Sequence, residues 1–179
     1  MFNPLLDELP TTYGGHDINT DFRQPIKFFA MLRDPDIDET EKAVVAVLQF
    51  FPKANVYKDM EHLLEYIPSY INRGVEAKES KEEPVFDLLE DSERIYAAFM
   101  QVYHIDLTVA NLHWWTFLSL LDNLPDCTKL SEVVGIRAQK IPKGADKDWA
   151  SSMRRLKDAY ALGKQKTVGE KLQDIWEAF

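Results

Sequence analysis

The sequence predicts a mainly α-helical fold, a compact helical domain with a small N-terminal β-hairpin. Apolar residues recur at spacings of three and four through most of the chain, the period of one helix face. Pro35, Pro52 and Gly74 punctuate those runs where a helix has to stop. Near the start, "TTYGGHDI" places Gly14 and Gly15 between Thr and Tyr on one side and Ile18 on the other. Gly-Gly readily takes the positive φ that a tight hairpin needs.

The helices follow in order. "TDFRQPIKFFAMLRDP" can start with Thr20 or Asp21 as cap, tolerate Pro25 in its first turn, and stop before Pro35. "DETEKAVVAVLQFF" has acids in its first turn, where the helix dipole favours them, and an apolar run ended by Pro52. A third helix, from about Lys58 to Arg73, carries Met60, Leu63, Leu64, Ile67 and Ile71, with Pro68 expected to kink it. "GVEAKESKEEP", about 74–84, is charged and aperiodic and reads as an exposed acidic loop. Beyond it Phe86, Leu89, Ile95, Phe99 and Val102 share a helical register, and the run from Leu107 to Leu124 reads as the next helix. A short helix near "TKLSEVVGI" precedes a loop through Pro142 and Gly144. "ADKDWASSMRRLKDAYAL" sets Trp149, Met153, Leu156, Tyr160 and Ala161 on one amphipathic face. Residues 164–179 read as a peripheral terminal helix. The expected organisation is one helical domain over 1–179.

Bulk properties narrow the function classes. A chain of 179 residues, 45% hydrophobic and 12% aromatic, can bury a sizeable core. Its one cysteine, Cys127, rules out an internal disulfide and a cysteine zinc cluster, and suits a reducing compartment. The N-terminus lacks the pattern of a signal peptide. The longest apolar runs fall well short of the roughly 20 residues that span a bilayer, so the expectation is a soluble cytoplasmic protein. Net charge is −9, unevenly spread. Residues 1–133 hold 11 basic and 24 acidic side chains, whereas residues 134–179 hold 10 and 6. The acidic body repels phosphates at long range and argues against nucleic acid. The basic C-terminal third can either dock an acidic surface or be a solvated face.

"NLHWWTFLSLL", residues 111–121, sets a histidine beside two tryptophans. On a helix Leu107, Ala110, Trp114, Phe117, Leu118 and Leu121 form one stripe, and Leu112 and Trp115 widen it. So broad an apolar surface belongs inside, with each indole N–H needing a partner. His113 reads as a half-buried residue with one hydrogen bond rather than a general base or ligand, and the rim of this core can still dock a partner.

The search for catalytic chemistry ends without a constellation. Asp34, Asp36 and Asp38 have calcium-loop spacing, but Glu39 stands at the required glycine and Val45 at the bidentate glutamate. They read as a loop and a helix cap. No phosphate-binding glycine loop and no HExxH occurs, and no nucleophile with a placed base can be argued from four scattered histidines. The expectation is a non-enzymatic protein with no metal and no cofactor.

Residues 86–137 carry a more specific signal. An aspartate, Asp91, precedes Ile95-Tyr96-Ala97-Ala98-Phe99; Tyr103, Ile105, Asp106 and Leu107 follow. Then come His113-Trp114-Trp115, Phe117, Leu120-Leu121 and a closing Ile136-Arg137. With Leu9-Pro10 and Asp21-Phe22-Arg23, this pattern resembles the bacteriophage gene-product-fifteen family of long-tailed phages and prophages of Gram-positive bacteria. His104 stands where the resemblance has a glycine. The positions carried over as the motif core are Phe22, Arg23, Asp91, Ile95, Tyr96, Phe99, Tyr103, Asp106, His113, Trp114, Phe117, Leu121 and Arg137.

The resemblance implies a tail assembly chaperone-like protein. Such a protein binds the tape measure protein, keeps it soluble, helps recruit the tail tube protein, and is absent from the finished virion. Self-association fits that role, as does location in the host cytoplasm. The alternative is a minor structural component retained in the tail. For partner binding, amphipathicity points to the Trp115 edge and to Arg154, Arg155 and Lys157.

Overall fold

A computed structural model describes residues 2–75 and 83–163. Among these residues the protein is mainly α-helical, with one two-stranded antiparallel sheet. Strand β1 (Thr12–Tyr13) pairs with β2 (His16–Asp17) across Gly14 and Gly15, both at positive φ, as the hairpin reading requires. Seven helices follow: α1 (Arg23–Leu32), α2 (Glu39–Phe50), α3 (Val56–Ile71), α4 (Ser92–Tyr103), α5 (Trp114–Asp122), α6 (Lys129–Ala138) and α7 (Lys147–Ala159). The terminal helix expected over 164–179 lies outside the described residues, as does most of the loop expected at 74–84. No described helix is long and apolar enough to cross a membrane.

Local chemistry sets the helix starts. Asp21 Oδ1 accepts from the Arg23 N–H at 2.8 Å, ahead of α1. Asp38, the last of the three aspartates with calcium-loop spacing, caps α2 by accepting from Glu41 N–H. Asn55, Thr128 and Asp146 do the same for α3, α6 and α7. α3 runs through Pro68 to Ile71.

One expectation needs correction. The helix read from Leu107 to Leu124 begins only at Trp114. His104 sits in the left-handed region at φ 55°, closing α4. Asp106 Oδ1 then accepts from both the N–H and the hydroxyl of Thr108, a local turn that competes with helix. Val109 is 80% exposed, so the 107–113 stretch has no continuous buried stripe.

The chain clusters into two compact units. The first gathers residues 2–75 with Asn111–Ser119. Its core is aromatic: Phe28, Phe50, Tyr70, Trp114 and Phe117 are almost wholly buried, among Val47, Leu63 and Ile67. Phe22 stacks on Phe117 at 4.8 Å and Trp114 on Phe117 at 5.6 Å. The second gathers residues 83–110 and 120–163, with α6 packed on both α4 and α7. Ile95, Ala98, Phe99, Leu130, Val133 and Ala150 are buried there.

Candidate protein-interaction site

The tryptophan run is structural. Trp114 donates its indole N–H to the Ile71 carbonyl at 3.0 Å, and Trp115 donates to the Tyr70 carbonyl at 2.7 Å. Both acceptors lie at the end of α3, past the reach of the regular i+4 ladder, and the Tyr70 carbonyl also accepts from the Arg73 N–H. Trp115, expected at a docking edge, is 8% exposed and lies edge-on to Phe2, 4.8 Å between centroids. It therefore offers little surface to a partner.

His113 acts as a helix cap. Its Nδ1 accepts from the Trp115 N–H at 3.0 Å, and its Nε2 lies 3.0 Å from the Pro10 carbonyl. That pair of contacts fits the neutral ring carrying its hydrogen on Nε2. Burial lowers the imidazole pKa from its ordinary value, and the Pro10 carbonyl opposes this. The backbone also bridges Asp21 to His113. Nearby, burial and the neighbouring Tyr66 hold the Tyr70 phenol well above its usual range. The Tyr70 hydroxyl is buried and has no hydrogen-bond partner among the described residues.

In the second unit the motif aspartate and the motif arginine meet. Asp91, fully buried, takes Arg137 in a two-pronged contact: Nη1 to Oδ2 at 2.6 Å and Nη2 to Oδ1 at 3.0 Å. Arg94 Nη1 adds a third donor at 2.9 Å and the Asp87 N–H a fourth at 3.1 Å. Arg137 also donates to the carbonyls of Tyr160 and Val85, tying the end of α7 and the segment ahead of α4 to α6. Such planar, bidentate pairing suits arginine and not lysine.

The remaining motif residues divide by burial. Phe22, Ile95, Phe99, Trp114 and Phe117 are core. Arg23 pairs with Asp21 at 3.0 Å and lies over the Phe22 ring. Tyr103 donates its hydroxyl to the Leu120 carbonyl at 2.8 Å. Asp106 holds the turn after α4, and the Thr108 hydroxyl and N–H lower its pKa. Leu121 is half-buried, and Tyr96 is 38% exposed.

The open surface lies on α7. Ala150 is the only fully buried residue of this helix, while Trp149 is 40% and Leu156 41% exposed. The apolar face that the spacing predicts is thus half open. Of the predicted cations, Arg154 and Arg155 are exposed. Lys157 instead turns its ammonium to the Arg137 and Gln139 carbonyls. Beside α7 the 141–145 loop leaves a concavity of about 520 Å³, rimmed by Lys143, Lys147 and Arg154. Sequence reasoning missed Lys143 and Lys147; their signal was the basic balance of the C-terminal third. Among the described residues no group of three or more His, Cys, Asp or Glu is placed to hold a metal ion.

Together these features define a helical protein with an internal, hydrogen-bonded aromatic motif and a basic, partly apolar outer helix. The family model described as Bacteriophage Gp15 protein matches residues 5–162, and the chain belongs to that family. It is a bacteriophage protein. No curated protein and no solved structure matches it.

Proposed function

We propose that this protein is a tail assembly chaperone-like partner of the tape measure protein, keeping that chain soluble and helping to recruit tail tube subunits. The carrying observation is α7, whose Trp149 and Leu156 stay half open beside the exposed Arg154 and Arg155. Membership in a phage family supplies the setting. A tape measure is a long helical chain with apolar stretches that aggregate when left bare. A helix face combining indole, leucine and guanidinium groups can cover such stretches by helix-against-helix contact. Meanwhile the net charge of −9 keeps the complex dispersed. The reading places the protein in the host cytoplasm, without catalytic chemistry and without nucleic-acid or membrane binding. It allows several copies to line one partner.

Co-expression with the tape measure protein of the same phage tests it. The expected outcome is a soluble complex that survives gel filtration, weakened by Trp149→Ala with Leu156→Ala. An insoluble tape measure and no complex would overturn the proposal. Stoichiometric recovery of the chain from purified virions would instead make it a minor tail component.

A further inference from the structure

We propose that the concavity between the 141–145 loop and α7 is a docking site for an acidic peptide segment, a short run of a partner protein with closely spaced Asp or Glu side chains. The hollow measures about 520 Å³, within the range of ligand-binding clefts. Ile141, Pro142 and Ala150 give it an apolar lining, and Lys143, Lys147 and Arg154 supply three positive charges. On α7, residues 147, 150 and 154 follow the three-and-four spacing of one helix face. The small Ala150 between the two cations leaves the depth.

Elsewhere Lys42 pairs with Glu39, Lys53 with Asp17, Lys129 with Glu132, and Arg94 and Arg137 with Asp91. Lys143, Lys147 and Arg154 have no ion pair among the described residues, although the chain has 30 acidic side chains against 21 basic ones. Among the described residues Lys27, Lys58, Arg155 and Lys157 also carry no ion pair; Lys143, Lys147 and Arg154 differ in that they ring one hollow. Three like charges around one hollow repel each other until an anion is seated between them. The N-terminus of α7 is not the attraction, because Asp146 Oδ1 already accepts from the N–H groups of Asp148 and Trp149.

The chemistry selects among anions. A lone inorganic ion would satisfy the charges and leave Ile141 and Pro142 uncovered. A peptide lays the aliphatic stems of its glutamates on that lining while its carboxylates reach the rim. The net charge of −9 opposes polyphosphate and acidic peptide alike at long range, so the apolar lining is what favours the peptide. The claim concerns the chemistry of the docked segment, whichever protein supplies it. Its failure would leave the tape measure reading standing.

The test is fluorescence anisotropy of the full chain with fluorescein-labelled decaglutamate. Binding is expected at about 50 mM salt and should weaken severalfold at about 300 mM. Lys147→Glu with Arg154→Glu should weaken it at least about tenfold. Lys58→Glu, at an exposed cation on α3 outside the hollow, should leave it within about twofold, and all variants should keep the parent melting temperature. No binding by the parent chain, or an equal loss in Lys58→Glu, would overturn the proposal. So would inorganic phosphate or a single-stranded oligonucleotide binding as tightly as the peptide. Self-association that the charge reversals abolish, in the absence of peptide binding, would assign the hollow to a second copy and overturn the proposal too.

Discussion

Asp91 carries a buried charge whose only compensation is the set of donors around it. Removing Arg137 leaves that carboxylate with the Asp87 N–H and Arg94, whose side chain is 32% exposed. Arg137→Met is therefore expected to destabilise the protein by about 3–5 kcal/mol, the range for breaking a buried pair from one side. Chemical denaturation of the variant checks it; a loss below about 1 kcal/mol would mean the pair is dispensable. Tyr70 presents the opposite case. Its buried hydroxyl lacks a partner among the described residues, so Tyr70→Phe removes a desolvation cost and should stabilise by about 1 kcal/mol. A fall in melting temperature would refute that. His113 contributes a pH dependence. Its folded-state pKa lies below the ordinary value of 6.5, so the folded protein disfavours the proton that the unfolded chain accepts. Stability is full above pH 6.5 and declines as pH falls from there toward the lowered folded value. Protonation also removes the lone pair with which Nδ1 caps α5. Denaturation midpoints measured from about pH 7 to about pH 5 should fall in the parent chain and fall less steeply in His113→Gln.

At the scale of elements, the end of α4 offers a direct test. His104 occupies the left-handed cap position at φ 55°, where the family resemblance has glycine. A Cβ in that conformation costs about 1–2 kcal/mol, part of which glycine returns as lost chain entropy. His104→Gly should therefore raise stability by about 0.5–1 kcal/mol, visible as a shifted denaturant midpoint with an unchanged slope. The same stretch shows what could be read from the residues. α1, α2 and α3 follow from apolar spacing, capping residues and stop signals, all local. The start of α5 does not, because apolar periodicity continues back to Leu107 while the backbone there is committed to the Asp106 turn and to the bridge between His113 and Asp21. Asp21 is distant in sequence from His113, and the Asp106–Thr108 turn, though local, is polar, so apolar spacing carries no trace of either. On α7, amphipathicity picks out Arg154 and Arg155, which are exposed, but not Lys147 on the same helix. The hollow beside them is not legible either, since it depends on how the 141–145 loop folds back, with Gly144 at φ 92°. Trp115, expected at a rim, lies against Phe2 from the far N-terminal end of the chain, a contact that helical spacing does not carry.

Over the whole molecule, the helical class and the hairpin follow from patterning, and the phage family from the motif between Asp91 and Arg137. Many of the motif residues make internal contacts: Phe22, Ile95, Phe99, Trp114 and Phe117 are core, and Asp91 pairs with Arg137. The first unit also has a discontinuous chain path: residues 2–75 are completed by Asn111–Ser119, whose two indoles bond the end of α3. A nascent polypeptide emerging from the ribosome consequently has to hold its N-terminal helices unfinished until that later stretch clears the exit tunnel. A polypeptide ending at residue 110 should lack a cooperative melting transition, whereas one that folded sharply would show that the early helices are self-sufficient. Synthesis speed between those two points then governs how long the unfinished aromatic core stands open to host proteases and holdases.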